Sequence, residues 1–98
     1  MSNIFEIVTF RVKDPAKAKE MRRNAMEHAR KLKGFVNYRA MINVEDQNHF
    51  SDLVEWKSLE DAQAAAQEIM TIPEFQAMMA EIDSVESMKH FSVDKFIE

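Results

Sequence analysis

Ile4-Phe-Glu-Ile-Val-Thr-Phe-Arg-Val12, followed at once by Lys13-Asp14-Pro15, is the stretch that decides the fold. The run is rich in β-branched and aromatic residues, which suit a pleated strand. Alternate side chains of a strand point to opposite faces. Phe5, Ile7 and Thr9 therefore share one face, and Ile4, Glu6, Val8 and Phe10 share the other. Both faces are largely apolar, so this strand needs a cover on each side. Asp14 then offers an N-cap and Pro15 a pre-set first helical residue, so a helix follows directly.

That helix is expected to run to about Leu32, with Met21, Ala25, His28 and Leu32 recurring on one face. Gly34, the only glycine, suits the left-handed residue that ends a helix, and Lys31 and Lys33 complement the helix dipole there. Phe35–Val44 and His49–Trp56 read as two strands joined through the polar turn Glu45-Asp-Gln-Asn48, a hairpin. Ser58, with Asp61 three residues on, caps an Ala-rich helix that runs to about Met70. Thr71-Ile-Pro-Glu74 repeats the start signal for a short helix to about Ile82. Val85–Ile97 reads as the last strand, with Phe91, Val93 and Ile97 on one side and Met88, His90 and Phe96 on the other.

The order is β-α-β-β-α-(α)-β. The fold class is α+β, ferredoxin-like: a four-stranded antiparallel sheet in the order 4-1-3-2 with the helices on one face. Its other face is also apolar, and a second copy of the chain is the simplest cover, which predicts an isologous homodimer.

With 98 residues the chain is expected to make one domain over 1–98. Zero cysteines exclude disulfides, thiolate metal sites and cysteine nucleophiles, and suit a reducing compartment, so the cytoplasm is the expected location. No apolar run approaches the roughly 20 residues of a membrane span, and the start carries no basic leader pattern. A single Gly builds no Gly-rich phosphate cradle, and there is no Gly-x-Ser-x-Gly elbow. Nine cations and three acids lie between Arg11 and Lys33, but without interleaved aromatics. They read as a solvated helix face, and the net charge of −4 argues against a nucleic-acid partner.

The strand alternation also gathers polar groups. Glu6, Asp52 and His90 fall on matching faces of three neighbouring strands. If that face meets the helices, the three floor an apolar pocket. Met21 and His28 then stand above it, Trp56 and Tyr38 lie at its edges, and Phe10, Met79 and Met88 add apolar lining. A carboxylate pair beside a His in such a place suits proton transfer, with His90 the favoured base and Glu6 orienting it. The competing reading is a structural cluster that satisfies polar groups between sheet and helices. His28, Glu6, Asp52 and His90 lack the spacing of a metal site, so no metal is expected. His49, beside the polar turn, reads as a solvated residue.

Four segments together resemble a known family: Phe5-Glu-Ile-Val-Thr-Phe-Arg-Val12, Gly34-Phe-Val36, Asp52-Leu-Val-Glu-Trp56-Lys-Ser-Leu-Glu-Asp-Ala62 and Pro73-Glu-Phe75. In that order they resemble the dimeric α+β barrel superfamily, within it the small antibiotic-biosynthesis-monooxygenase-like (ABM-like) proteins. The resemblance implies two subunits with their sheets packed face to face. It also implies a small-ligand pocket between sheet and helices, and oxygenation without a cofactor. The heme-degrading branch of that family is not matched. Its pattern wants Asn, Trp and His where this chain has residues near Phe10, Ala65 and Met79. The expected function is thus a monooxygenase-like homodimer that binds an apolar or aromatic metabolite and needs no cofactor. The alternatives are a non-catalytic ligand-binding or structural dimer, and an isomerase or lyase working by Glu/His proton shuttling.

Overall fold

The computed structural model describes residues 2–98. The elements are β1 (Ile4–Val12), α1 (Pro15–Ala29), β2 (Phe35–Asn43), β3 (Asp46–Trp56), α2 (Leu59–Glu68), α3 (Pro73–Met79) and β4 (Ile82–Ser92), with a 3-10 turn at Ile69–Thr71. The sheet is antiparallel in the order β2-β3-β1-β4, which is the expected 4-1-3-2 order read from its other edge. β1 matches the expected limits residue for residue.

The helices cover the face that carries Phe10, Val12, Phe50, Val54 and Trp56, all buried. Two half-cores form there. Phe10, Val12 and Phe50 pack with Ala18 and Ala25 of α1 and Met78 of α3. Val54 and Trp56 pack with Ala62 and Ala65 of α2, and Leu32, Phe35 and Tyr38 lean against them. Phe10 and Phe50 meet with ring centroids 5.8 Å apart, and Phe35 stands edge-on to Trp56 at 5.9 Å. Such aromatic pairs add about 0.5–1.5 kcal/mol beyond the area they bury. The face away from the helices holds Phe5 and Ile7 of β1 with their cross-strand partners Phe91 and Leu53. Phe5, Ile7 and Leu53 are half-buried, while Phe91 is 50% exposed.

Asp14 caps α1 as expected: its carboxylate accepts the backbone N–H of Lys17 at 3.2 Å. Ser58 caps α2, with Oγ accepting the N–H of Asp61 at 3.0 Å. Several boundaries differ from the expectation. α1 ends at Ala29, so Gly34 is not its C-cap. Gly34 has φ +82° in the turn entering β2, where Asp61 presses on it. Thr71 caps nothing. Its hydroxyl donates to the Glu68 carbonyl at 2.7 Å, and Ile72 stands at the N-cap of α3 without a side-chain bond.

The hairpin turn shrinks to Val44-Glu45, because side chains hold residues 46–48 extended. Asp46 accepts the Asn48 N–H and an Arg11 N–H, and Asn48 Nδ2 donates to the Val12 carbonyl at 2.9 Å. Arg11 also holds the Asp46 carboxyl below its ordinary value. β4 starts three residues early and stops at Ser92. Register shifts between Thr9 and Phe10 and between Arg11 and Val12 lengthen it at its start. His49 is not simply solvated: it pairs with Glu86 at 2.5 Å across the sheet.

A Cβ added at Gly34 would collide with Asp61 Oδ2 and lie 2.5 Å from Asp61 Cβ. Gly34→Ala therefore costs more than the roughly 1–2 kcal/mol of a left-handed non-glycine residue. In urea titrations the double variant with Asp61→Gly is expected to be more stable than the two single losses predict, by at least about 0.5 kcal/mol of coupling. Simple additivity would show that the contact is not tight.

Candidate functional site

Cross-strand register settles which groups share the helix-covered face. Glu6 sits opposite Val54 on β3 and opposite His90 on β4, and Val8 sits opposite Asp52 and Met88. Glu6 and Asp52 are therefore diagonal neighbours, roughly 7–8 Å apart at the backbone. Tyr38 of β2 is paired with Val54 and so joins the same face.

A cavity of about 170 Å³ lies over this floor and is walled by residues of both half-cores. Phe10, Val54 and Trp56 rise from the sheet, Ala25 and Ala29 come from α1, Ala65 and Ala66 from α2, and Phe75 and Met78 from α3. The alanines leave the room that larger side chains would fill. Met79 and Met88, both exposed, stand at its rim. Among the described residues the lining has only four with polar side-chain atoms: Glu6, Tyr38, Asp52 and Trp56. No basic side chain is among them.

The half-buried carboxylates of Glu6 and Asp52 each have a fixed partner. Trp56 Nε1–H donates to Glu6 Oε1 at 3.0 Å. Tyr38 Oη–H donates to Asp52 Oδ2 at 2.6 Å, and Arg22 Nη1–H donates to Asp52 Oδ1 at 3.1 Å. Arg22 is 4% exposed, lies 4.3 Å above the Phe50 ring, and also bonds the carbonyls of Met41 and Ser51. Burial pushes the Glu6 carboxyl above its ordinary value of 4.5. Trp56 and the nearby His90 pull it back, and the Asp52 charge adds to the rise. Burial likewise raises Asp52 against the pull of Tyr38 and Arg22. The Tyr38 hydroxyl is held well above its ordinary 10.0 by burial and by Asp52. A base with a raised affinity for protons, sunk in an apolar wall, is suited to take a proton from a bound hydroxyl.

Seven of the ten residues singled out from the sequence line the cavity: Glu6, Phe10, Tyr38, Asp52, Trp56, Met79 and Met88. Three do not. His90 faces the same side as Glu6 but is exposed and outside the lining. His28 is not above the floor; its Nε2 pairs with Glu74 of α3 at 3.1 Å on the surface. Met21 packs into the Phe10–Phe50 cluster instead. Both lie on the flank of the helical stripe Ala18, Arg22, Ala25 and Ala29 that faces the sheet. Arg22 is not among the expected site residues. Its signal is this stripe, in which one arginine replaces an alanine at core spacing. Among the described residues no cluster of three or more His, Asp or Glu could hold a metal ion.

No family model and no curated protein matches the chain. Solved structures do. A single-residue variant of SnoaB, a cofactor-independent oxygenase from Streptomyces nogalater, superposes with a TM-score of 0.85 at 14% identity, covering 99% of this chain and 98% of that one. A protein of Bordetella bronchiseptica, provisionally named an antibiotic biosynthesis monooxygenase, gives 0.83 at 13% identity over 99% and 100%. Another of that provisional name, from Chloroflexus aurantiacus, gives 0.74 at 17% over 99% and 98%. The chain thus has the small ferredoxin-like α+β fold of the ABM structures. Among the described residues no helix is long and apolar enough to cross a membrane.

Glu6 gives a pH test. Its folded pKa is raised, so the folded chain holds this proton more tightly than the unfolded chain. Stability from this group is lost as pH rises from the ordinary carboxylate range through the folded value. Glu6→Gln keeps an oxygen for Trp56 and removes the buried charge. In urea titrations the variant is expected to gain on wild type between pH 4 and pH 7. A constant difference across that range would contradict the assignment.

Proposed function

We propose that the cavity binds a small, uncharged, hydroxylated aromatic molecule and that the protein promotes its oxygenation by dioxygen without a cofactor. The observation that carries this reading is the apolar cavity with two half-buried carboxylates in its wall and no basic side chain. A cavity of roughly 150 Å³ lined by apolar side chains takes up benzene. About 170 Å³ with an open rim therefore suits one ring inside and a second at the mouth. The inward polar atoms are mainly acceptors, which favours ligand hydroxyls. A carboxylate or phosphate group would be buried beside Glu6 and Asp52 with no cation lining the wall, so anionic ligands are disfavoured.

In the proposed reaction Glu6 takes a phenolic proton and leaves an electron-rich phenolate. Dioxygen is the oxidant. A 1,4-hydroquinone and dioxygen give a hydroxyquinone and water, so one oxygen atom enters the ring and the other leaves reduced. The water-poor cavity protects the phenolate from reprotonation. The role of base falls to Glu6 rather than to the exposed His90. The resemblance in fold to proteins named as oxygenases supports this reading.

The reading includes a homodimer. The helix-free face carries Phe5, Ile7, Leu53 and Phe91, and a second copy would bury them isologously. Sedimentation at micromolar concentration is expected to give twice the 11.4 kDa chain mass. Leu53→Lys is expected to shift it toward monomer. A wild-type monomer would refute the dimer.

Trp56 is the only tryptophan and lies in the cavity wall, so its fluorescence reports occupancy. 2-Naphthol is expected to quench it, and 2-naphthoate to bind about tenfold more weakly or worse, a difference of roughly 1.4 kcal/mol. Naphthalene-1,4-diol is expected to raise dioxygen uptake above the rate without protein. Equal quenching by the acid and the alcohol would overturn the ligand class. Binding without added uptake would favour a non-catalytic binding protein.

A further inference from the structure

Beyond Glu6, the cavity wall holds a second pair of hydrogen-bonded groups, Asp52 and Tyr38, and Arg22, which lies outside the lining, holds Asp52 from the core. Both Asp52 oxygens are occupied, Oδ1 by Arg22 at 3.1 Å and Oδ2 by the Tyr38 hydroxyl at 2.6 Å. Arg22 is itself fixed by the carbonyls of Met41 and Ser51 and by the Phe50 ring beneath it. The only hydroxyl proton of Tyr38 is committed to Asp52, which leaves the oxygen lone pairs for the cavity that Tyr38 lines. The phenol satisfies Asp52 Oδ2 and at the same time offers its lone pairs to the cavity.

We propose that Tyr38 and Asp52 form a second proton exit from the ligand, with Tyr38 as a catalytic relay, Asp52 as the transient acceptor and Arg22 as the positioning residue. This rests on the proposed binding of a hydroxylated aromatic. Oxidation of a hydroquinone releases two hydroxyl protons, and Glu6 accepts one. The other moves in a concerted step. The ligand O–H bond breaks as a new O–H bond forms on Tyr38 Oη, and the original Tyr38 O–H bond breaks as one forms on Asp52 Oδ2. The net result is a ligand phenolate and a neutral Asp52, with no electron transferred in this step. The electrons leave afterwards to dioxygen, and the protons held on Glu6 and Asp52 follow to the reduced oxygen, which departs as water and leaves both carboxylates as they began. Because Tyr38 ends as it began, it never carries net charge, in keeping with its half-buried position against the core.

The test uses wild type, Tyr38→Phe, Asp52→Glu and Arg22→Lys with naphthalene-1,4-diol and dioxygen, with Trp56 quenching by 2-naphthol as the binding readout. In Tyr38→Phe the expected kcat falls about tenfold or more, with KM within about threefold. Wild-type kcat is expected to depend on solvent deuterium content along a curve that indicates two moving protons, and Tyr38→Phe along a straight line. Asp52→Glu and Arg22→Lys, which keep charge but change position, are expected to lower kcat with 2-naphthol quenching retained. The proposal is overturned if Tyr38→Phe keeps kcat within about twofold and the curved deuterium dependence. It is also overturned if all three variants lose quenching and turnover in equal measure, which is the signature of a structural cluster. Failure of 2-naphthol to quench wild-type Trp56 would instead sink the reading of the cavity itself.

Discussion

Two carboxylates lie beneath the helices on the apolar face of the sheet, and the cost of burying them organises what surrounds them. An ionised carboxylate without partners in such a place would cost several kcal/mol. Glu6 meets that cost through Trp56 and through a raised proton affinity. Asp52 meets it through Arg22 and Tyr38. These partners come from three elements: Trp56 from the end of β3, Tyr38 from β2 and Arg22 from α1. Arg22 can reach inward because its neighbours on the stripe are the alanines at 18, 25 and 29, which let the helix lie close. The same small residues keep the cavity open, so the arrangement that satisfies the carboxylates also makes the space above them.

Much of this is legible in the strands. Period-2 alternation places Glu6 and Asp52 with Phe10 and Trp56, and the register agrees, because one face of the sheet must be buried. The order of elements and the sheet topology follow from strand and cap signals, and β1, Asp14 and Ser58 behave as those signals indicate. The first helix is harder to read. Met21, Ala25, His28 and Leu32 are a true helical repeat, but α1 stops at Ala29 and its inward face is centred on Ala18, Arg22, Ala25 and Ala29. A basic, Ala-containing helix has little apolar contrast to fix its rotation, so its sequence misplaces Met21 and His28 and hides Arg22. The start of β4 is displaced by irregularities in pairing with β1, which leave no mark in composition.

Shared architecture fixes less than shared geometry. The solved structures that superpose on this chain at 13–17% identity support its fold over nearly its whole length. Chemistry is carried by sites grafted on folds. Here the candidate chemistry rests on Glu6, Asp52, Tyr38 and Trp56, which meet in one cavity wall. The two histidines that look useful in the sequence are held at the surface, one against Glu74 and one at the exposed end of β4.

The proposed function depends most on a ligand hydroxyl meeting the carboxylate floor. A crystal structure grown with 2-naphthol tests this directly. The expected result is an aromatic ring between Phe10, Ala25 and Met78, with its hydroxyl within hydrogen-bond reach of Glu6 or Tyr38. An empty cavity at saturating ligand, or a ring bound with its hydroxyl turned toward Met79 and Met88 at the rim, would contradict it.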